Sequence, residues 1–553
     1  MKNNIKIYLC QLNFHVGELN KNCEKIISAR ETVQKDGGDL CVFSELSITG
    51  YPPEDLVLRQ SFIDATQSII DKLIVLSQDG GPGMIIGYPR NDNGVLKNSS
   101  ALIDNGRISI VDKFHLPNYG VFDEERVFTS ERVSGPIVFK DIRIGLMICE
   151  DMWFSDVAES LQESGAQILI VINGSPFDQN KEDERISVAV SRIVETNLPL
   201  IYVNQIGGQD ELVFDGGSFV LNNKSKLCIQ SSDWKEEINL VEIYRNNNGL
   251  IDIANKNINT VSNGLESKYN AMVLGLRDYV NKNNFKGVLL GLSGGIDSAV
   301  AAAIAVDALG KDRVRGIRMP SKYSSQGSLD DAEKTSKLLN IRIDTINIDD
   351  INSTYLKHLE KLFTGLVNDT TEENIQSRIR GVILMAISNK FGEMLISTGN
   401  KSEISVGYTT IYGDMNGGFS ALKDAYKTDI YALAKWRNSN YNDLFMGVSG
   451  EAIPVNSINK EPSAELNVNQ KDQDNLPAYE ILDEILKLII EDEASLESII
   501  NLGHDKMLVN RIYKLLLISE YKRRQSAPGV KLTARSFGKE RRYPITNAFF
   551  NDK

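Results

Sequence analysis

The chain has 553 residues, enough for two or three domains with separate cores, and its 42% hydrophobic and 24% charged content is ordinary for a soluble globular protein. Its net charge of −13 opposes binding to nucleic acid or to an anionic membrane through the surface at large. The cysteines Cys10, Cys23, Cys41, Cys149 and Cys228 are odd in number and form no C-x-x-C pair, which argues against a disulfide framework or zinc site and for a reducing cytoplasm.

The N-terminal MKNNIKIYLCQLNF alternates like a strand and lacks the apolar core of a signal peptide. No uncharged apolar run approaches the length of a membrane span. Strands are expected at 4–13, 40–43, 84–87, 142–149, 167–173 and 198–204, with helices at 20–35 and 182–196 between them. That alternation implies a layered α/β domain over 1–245. Residues 233–263 are polar and asparagine-rich, and 246–263 read as a connector. A second domain, 264–553, opens with a helix at 265–281. A strand at 287–292, a glycine-rich turn and a helix at 297–309 follow. Further strands at 315–319 and 341–348 flank a helix around 329–339. This βαβαβ unit predicts a doubly wound parallel sheet. The last third reads as long helices near 478–500 and 506–522.

The string Gly291-Leu292-Ser293-Gly294-Gly295-Ile296-Asp297-Ser298 sits where a buried strand turns into a helix. Glycines there let backbone amides approach an anion, and the helix N-terminus favours phosphate. Asp297 is itself an anion, so a divalent metal bridging it to phosphate would reconcile the two. Neither the G-K-[ST] of a Walker loop nor G-x-G-x-x-G is present. The string resembles the S-G-G-x-D-S loop of the N-type ATP pyrophosphatases, which transfer AMP. Met319–Ser325, Glu373–Gly381, Ser397–Glu403, Tyr412–Met415, Lys427-Thr428, Pro462–Leu466, Gln470–Asp474 and Tyr521–Gln525 add to it. Together they resemble the synthetase domain of the NAD(+) synthetase family over nearly all of 265–543. The resemblance implies that ATP, with Mg2+, adenylylates the nicotinate carboxylate of deamido-NAD, and that ammonia then displaces AMP. It implies ATP contacts by the Gly291–Ser298 loop and Thr398, and metal ligation by Asp297 and Glu403. It also implies deamido-NAD contacts by Asn374, Glu403 and Lys522, with Arg378, Arg380 and Lys427 as phosphate or substrate contacts.

In the first half Cys149 ends a strand and precedes Glu150-Asp151, a placement that exposes a side chain at a sheet rim. The other cysteines lie within strands or a helix and read as packing residues. A thiol attacking an amide needs a base and an oxyanion stabiliser. His115 stands nearest to a motif. Glu45 and Lys113 also follow strands, so both can converge with Cys149 on one rim. The strings around these three residues resemble the Glu–Lys–Cys triad of the nitrilase superfamily, whose fold is an α-β-β-α sandwich. By that resemblance Glu45 is general base, Lys113 stabilises thiolate and oxyanion, Cys149 is nucleophile, and Glu124 is a further acidic participant. The match runs over about 5–240 and is closest to the glutaminase domain fused to NAD(+) synthetases. There Tyr119, Ser175 and Lys181 bind glutamine; this chain keeps the lysine but lacks the family's His and Gly before it.

The resemblance implies a homo-oligomer with deamido-NAD, ATP and L-glutamine as ligands, an internal route for ammonia, and no nucleic acid or membrane partner. Two other readings use the same residues. One is another adenylating amidotransferase, or a tRNA-modifying enzyme, using the same Ser293–Ser298 loop; the acidic chain, the lack of a basic patch and the later motifs speak against RNA. The other is an amidase whose second half only senses nucleotide. Release of AMP and diphosphate in step with amide formation separates a ligase from a sensor.

Overall fold

The computed structural model describes residues 4–179, 181–467 and 470–549, in two compact units, Met1–Ser262 and Asn263–Lys553.

The first unit is built on two seven-stranded sheets. One runs, edge to edge, Ile251–Ile253, Glu237–Arg245, Ile5–Gln11, Leu40–Val42, Gly83–Asp92, Val95–Asp104, Arg107–Asp112. The other runs Asn257–Ile258, Leu227–Gln230, Phe219–Leu221, Leu200–Asn204, Ile168–Asn173, Ile142–Ile148, Ile137–Phe139. Their central strands are buried on both faces, so side-chain alternation divides one core from another rather than core from solvent. Ile7, Leu9, Leu40 and Val42 of the first sheet meet Ile144, Leu146, Ile148, Ile170 and Ile172 of the second. The alternate residues Tyr8, Cys10, Cys41 and Phe43 pack outward under helices Leu19–Lys35 and Gln60–Leu76. Leu169, Val171 and Tyr202 pack under helices Ser155–Glu163 and Lys181–Thr196. The result is a four-layer α-β-β-α sandwich.

Residues 246–263, expected as a connector, contribute the edge strands Ile251–Ile253 and Asn257–Ile258, one to each sheet. Asn257–Ile258 is an exposed edge, whereas Ile251 is buried in the inter-sheet core; in both, backbone pairing with a neighbour outweighs the polar composition of the stretch.

The second unit carries a five-stranded, all-parallel sheet in the order Arg342–Thr345, Val314–Arg318, Val288–Gly291, Met394–Ser397, Phe419–Ser420. Every residue of helix Ile296–Leu309 except Asp297 is buried, which explains a sequence apolar all round. Leu289, Ile317 and Leu395 form a further core with Ile375 and Ile379 of helix Thr370–Phe391. The expected helix at 478–500 is two, Tyr479–Ile490 and Leu496–Asn501; Ser495 caps the second by accepting the Ser498 N–H. Strand order reverses between Val288–Gly291 and Met394–Ser397, and the carboxyl ends at such a switch point form the usual ligand crevice of an open α/β sheet.

Candidate active sites

In the first unit Glu45 and Lys113 follow strands of one sheet, and Cys149 and Gly174 follow strands of the other. The site therefore straddles the seam between the sheets. The Lys113 ammonium is fully buried and lies 2.7 Å from Glu45 Oε1, and 2.8 and 2.9 Å from the two oxygens of Glu124. Glu45 Oε2 accepts the Gly174 N–H at 2.9 Å, and Tyr51 donates to Glu124 at 2.9 Å. The Asn98 amide donates to Glu45 at 2.8 Å and to Glu124 at 3.3 Å.

Cys149 begins a short 3-10 turn, Cys149–Trp153, with a backbone φ of +48°, a left-handed conformation that turns the chain sharply off its strand. Asp151 fixes that turn to the neighbouring strand end. It accepts the Ile148 N–H at 3.0 Å and the amides of Phe114 and His115, the residues after Lys113, at 3.0 and 2.8 Å. His115 pairs with Asp156 at 2.8 Å and stacks on Phe154.

Burial alone would depress the Lys113 ammonium, but Glu124 and Glu45 outweigh it and hold it well above its ordinary value. Burial, with Glu45 adding to it against Lys113, pushes the Cys149 thiol up, so at rest it is protonated and would need a base to react as a thiolate. Burial lifts Glu124 to about 7 and Asp151 to about 6.

Of the residues expected to hold glutamine, Tyr119 donates to Glu150 at 3.0 Å, and Lys181 lies 4.2 Å over the Trp153 ring and 3.5 Å from Glu184. Ser175 is buried; its hydroxyl accepts from Arg185, whose Nη1 also donates to both oxygens of Asp215 at 2.9 Å. Tyr119 and Lys181 thus flank the Cys149 turn at Glu150 and Trp153, and Ser175 stands one residue past the Gly174 amide that holds Glu45.

In the second unit the loop Gly291–Ser298 and the Thr398–Glu403 segment leave adjacent strands at the switch point and line one cavity of about 310 Å³. The loop is tightly folded. Ser298 Oγ donates to Gly295 O at 2.9 Å, and Gly295 N donates to Ser293 Oγ at 3.2 Å. Gly294 has φ +82°, and a Cβ there would stand 2.2 Å from Ser328 O. Lys427 bridges Asp297 and Glu403, the latter at 3.1 Å, and Asn400 donates to Asp297 at 3.0 Å. Burial pushes Glu403 up to about 7 against the pull of Lys427, with Asp297 and Asp472 adding to the rise. The Asn374 side-chain oxygen accepts from Thr410 at 2.8 Å, and Lys522 donates to the carbonyls of Gly407 and Thr409 at 2.7 and 2.6 Å. Arg380 lines the cavity, and burial lowers it to about 10.

Among the described residues no group of three or more His, Cys, Asp or Glu side chains is arranged to hold a metal ion by itself. Asp297 and Glu403 offer the hard carboxylate oxygens that suit Mg2+, which ordinarily takes one or two carboxylates and completes its shell with phosphate and water.

Asn98, Asp151, Tyr51 and Gly174 escaped the sequence reading. Asp151 stood in the quoted Cys149-Glu150-Asp151; the others sit in strands or turns with no chemical signature of their own.

The family model "Carbon-nitrogen hydrolase" matches residues 6–250, and "NAD synthase" matches 268–526. Glutamine-dependent NAD(+) synthetases from Rhodobacter capsulatus and Xylella fastidiosa are 46% and 41% identical to this chain over 550 residues, covering 99% of each chain. The solved structure of the Acinetobacter baumannii glutamine-dependent NAD+ synthetase in complex with ADP matches with TM-score 0.78 at 37% identity, covering 100% of both chains. A glutamine-dependent NAD(+) synthetase structure from Cytophaga hutchinsonii, 21% identical with TM-score 0.81 over 99% of this chain and 98% of its own, shares the fold. With both family models matched in order and relatives alike from end to end, the chain belongs to the glutamine-dependent NAD(+) synthetase family.

Proposed function

We propose that this chain amidates deamido-NAD: deamido-NAD, ATP, L-glutamine and water give NAD, AMP, diphosphate and L-glutamate. The observation that carries the reading is the presence, on one chain, of a buried Glu–Lys–Glu cluster acting on a cysteine and a phosphate loop at the switch point of a parallel sheet.

At the first site Tyr119, Ser175 and Lys181 hold glutamine. Glu45 takes the Cys149 proton as Sγ attacks the side-chain amide carbon, and the Lys113 ammonium faces the negative charge that develops. The C–N bond breaks as the nitrogen takes the proton back from Glu45 and leaves as ammonia. Water, deprotonated by Glu45, then attacks the thioester carbonyl; the C–S bond breaks, Cys149 Sγ takes the proton from Glu45, and glutamate leaves. Glu124 completes the charge balance around Lys113.

At the second site the Gly291–Ser298 amides and Thr398 bind ATP, and Asn374, Glu403 and Lys522 bind deamido-NAD. Asp297 and Glu403 hold Mg2+, which neutralises phosphate charge when bound with the nucleotide. The nicotinate carboxylate displaces diphosphate from the α-phosphorus, giving an acyl adenylate. Ammonia attacks its carbonyl and AMP leaves. Ammonia released by the first chemistry must reach the second before protonation, since ammonium is not nucleophilic.

The five cysteines are free, and we assign the protein to the reducing cytoplasm. No helix among the described residues is long and apolar enough to cross a membrane. Val382, Met385 and Phe391 on helix Thr370–Phe391, with Leu362, Leu366 and Val367 before it, expose apolar surface that we propose to be covered by a second copy, a homo-oligomer whose mass sedimentation would read.

The paired test is Cys149→Ala and Asp297→Ala. The first abolishes glutamine-driven NAD formation and leaves the ammonia-driven reaction. The second abolishes both, along with AMP and diphosphate release. A folded Cys149→Ala protein that has lost the ammonia-driven reaction would show the division of labour to be wrong.

A further inference from the structure

We infer that Asn98 is a positioning residue of the glutamine-hydrolysing site, and that it fixes which oxygen of Glu45 takes the thiol proton. The inference rests on the reading of Glu45, Lys113 and Cys149 given above.

Asn98 lies in strand Val95–Asp104 and is 2% exposed. It grips the cluster in three ways. Its backbone carbonyl accepts the Lys113 N–H at 2.8 Å. Its side-chain nitrogen donates to Glu45 Oε1 at 2.8 Å and to Glu124 Oε2 at 3.3 Å. One residue thus holds both the backbone of the lysine and the two carboxylates that balance it. The amide orientation follows from chemistry. Turned the other way, the carbonyl oxygen would face two carboxylates; as placed, that oxygen is buried with no hydrogen-bond partner among the described residues. Leaving such an atom unpaired is costly, and the two contacts to carboxylates offset it.

A carboxylate has about four lone-pair sites, two on each oxygen. On Glu45, Oε1 is filled by Lys113 at 2.7 Å and Asn98 at 2.8 Å, and among the described residues Oε2 takes only the Gly174 N–H at 2.9 Å. The open site is therefore on Oε2. There the Cys149 proton lands while Sγ bonds to the amide carbon and the carbonyl electron pair moves to oxygen. From the same atom the proton returns to the departing nitrogen. Without Asn98, Oε1 has a vacant site as well, and protonation of Glu45 no longer fixes the proton in line with the reacting atoms.

The groups acting electrically with Glu45 are Lys113, Glu124, Tyr51, Cys149 and Glu150, and all remain when Asn98 is replaced. The test is glutaminase kcat and KM of the full chain for Asn98→Ala and Asn98→Ser, with Glu45→Gln and Cys149→Ala beside them. We expect kcat per folded chain to fall on the order of 10- to 100-fold while KM for glutamine changes by less than about threefold. A merely structural residue would lower the yield of folded protein and leave kcat per folded chain unchanged. An unchanged kcat per folded chain in both variants, a loss of kcat/KM that lies in KM, or failure of both to fold, overturns the inference. Retained activity in Glu45→Gln or Cys149→Ala instead overturns the underlying assignment, so the two failures are distinct.

Discussion

Replacing Lys113 with methionine tests whether charge holds the first site together. The ammonium is fully buried and touches the carboxylates of Glu45 and Glu124 at 2.7 and 2.8 Å. Removing one member of a buried ion pair costs about 3–5 kcal/mol, because the partner left behind has neither water nor a counter-charge. At about 2–4 °C per kcal/mol for a unit of this size, the first unit's unfolding temperature falls on the order of 10 °C. The deficit depends on pH with a definite sign. Burial already pushes Glu124 up to about 7 against the pull of Lys113, and losing Lys113 raises it further. A carboxyl whose folded pKa exceeds its unfolded one contributes full stability below the unfolded value and loses it as pH rises through the folded value. The gap between variant and wild type is therefore widest near pH 8 and narrows toward pH 5, which calorimetric scans at the two values read. Adding Glu124→Gln removes one of the stranded charges and recovers stability at pH 8 without restoring glutaminase. Unfolding within about 2 °C of wild type at pH 8, the effect of roughly one kcal/mol or less, or a deficit that grows on acidification, would refute the reasoning.

Because burial keeps the Cys149 thiol protonated, its alkylation by iodoacetamide should stay slow through pH 8, and a rate that rises as an ordinary exposed thiol's does would contradict the assignment. Gly294→Ala forces a Cβ against Ser328 O at 2.2 Å in a left-handed turn, so ATP binding by calorimetry should be lost while glutaminase persists. In Glu403→Gln, the Mg2+ concentration for half-maximal ammonia-driven synthesis should rise at least about tenfold, the scale expected for a lost metal ligand or its support; an unshifted titration would remove Glu403 from the metal site.

The ends of strands were the legible part of the sequence. Glu45, Lys113 and Cys149 each follow an apolar run, and the folded chain brings Glu45 and Lys113 into contact at 2.7 Å and sets Cys149 within their electrostatic reach. Gly291–Ser298 and Thr398–Glu403 lie beside one cavity for the same reason, since each leaves a strand at the switch point. Asn98 was not legible because its role depends on sheet register: it pairs with Pro89 in the hairpin, and no local pattern shows which carboxylates lie beneath. Lys427 illustrates another limit. A motif suggests a phosphate contact, but only three dimensions reveal the Asp297–Lys427–Glu403 bridge. Strands as short as Asn257–Ile258 are set by a partner's free edge rather than by their own residues.

The seam between the two sheets has a mechanical consequence. Glu45 and Lys113 are carried by one sheet and Cys149 by the other, so the layer of Ile, Leu and Val side chains between them acts as a spacer that sets the gap between the carboxylate–ammonium cluster and the thiol. Close-packed interiors transmit small changes of volume as displacements. A single methylene removed from that layer, as in Ile148→Val beside Cys149, can therefore alter alignment before it alters the integrity of the fold.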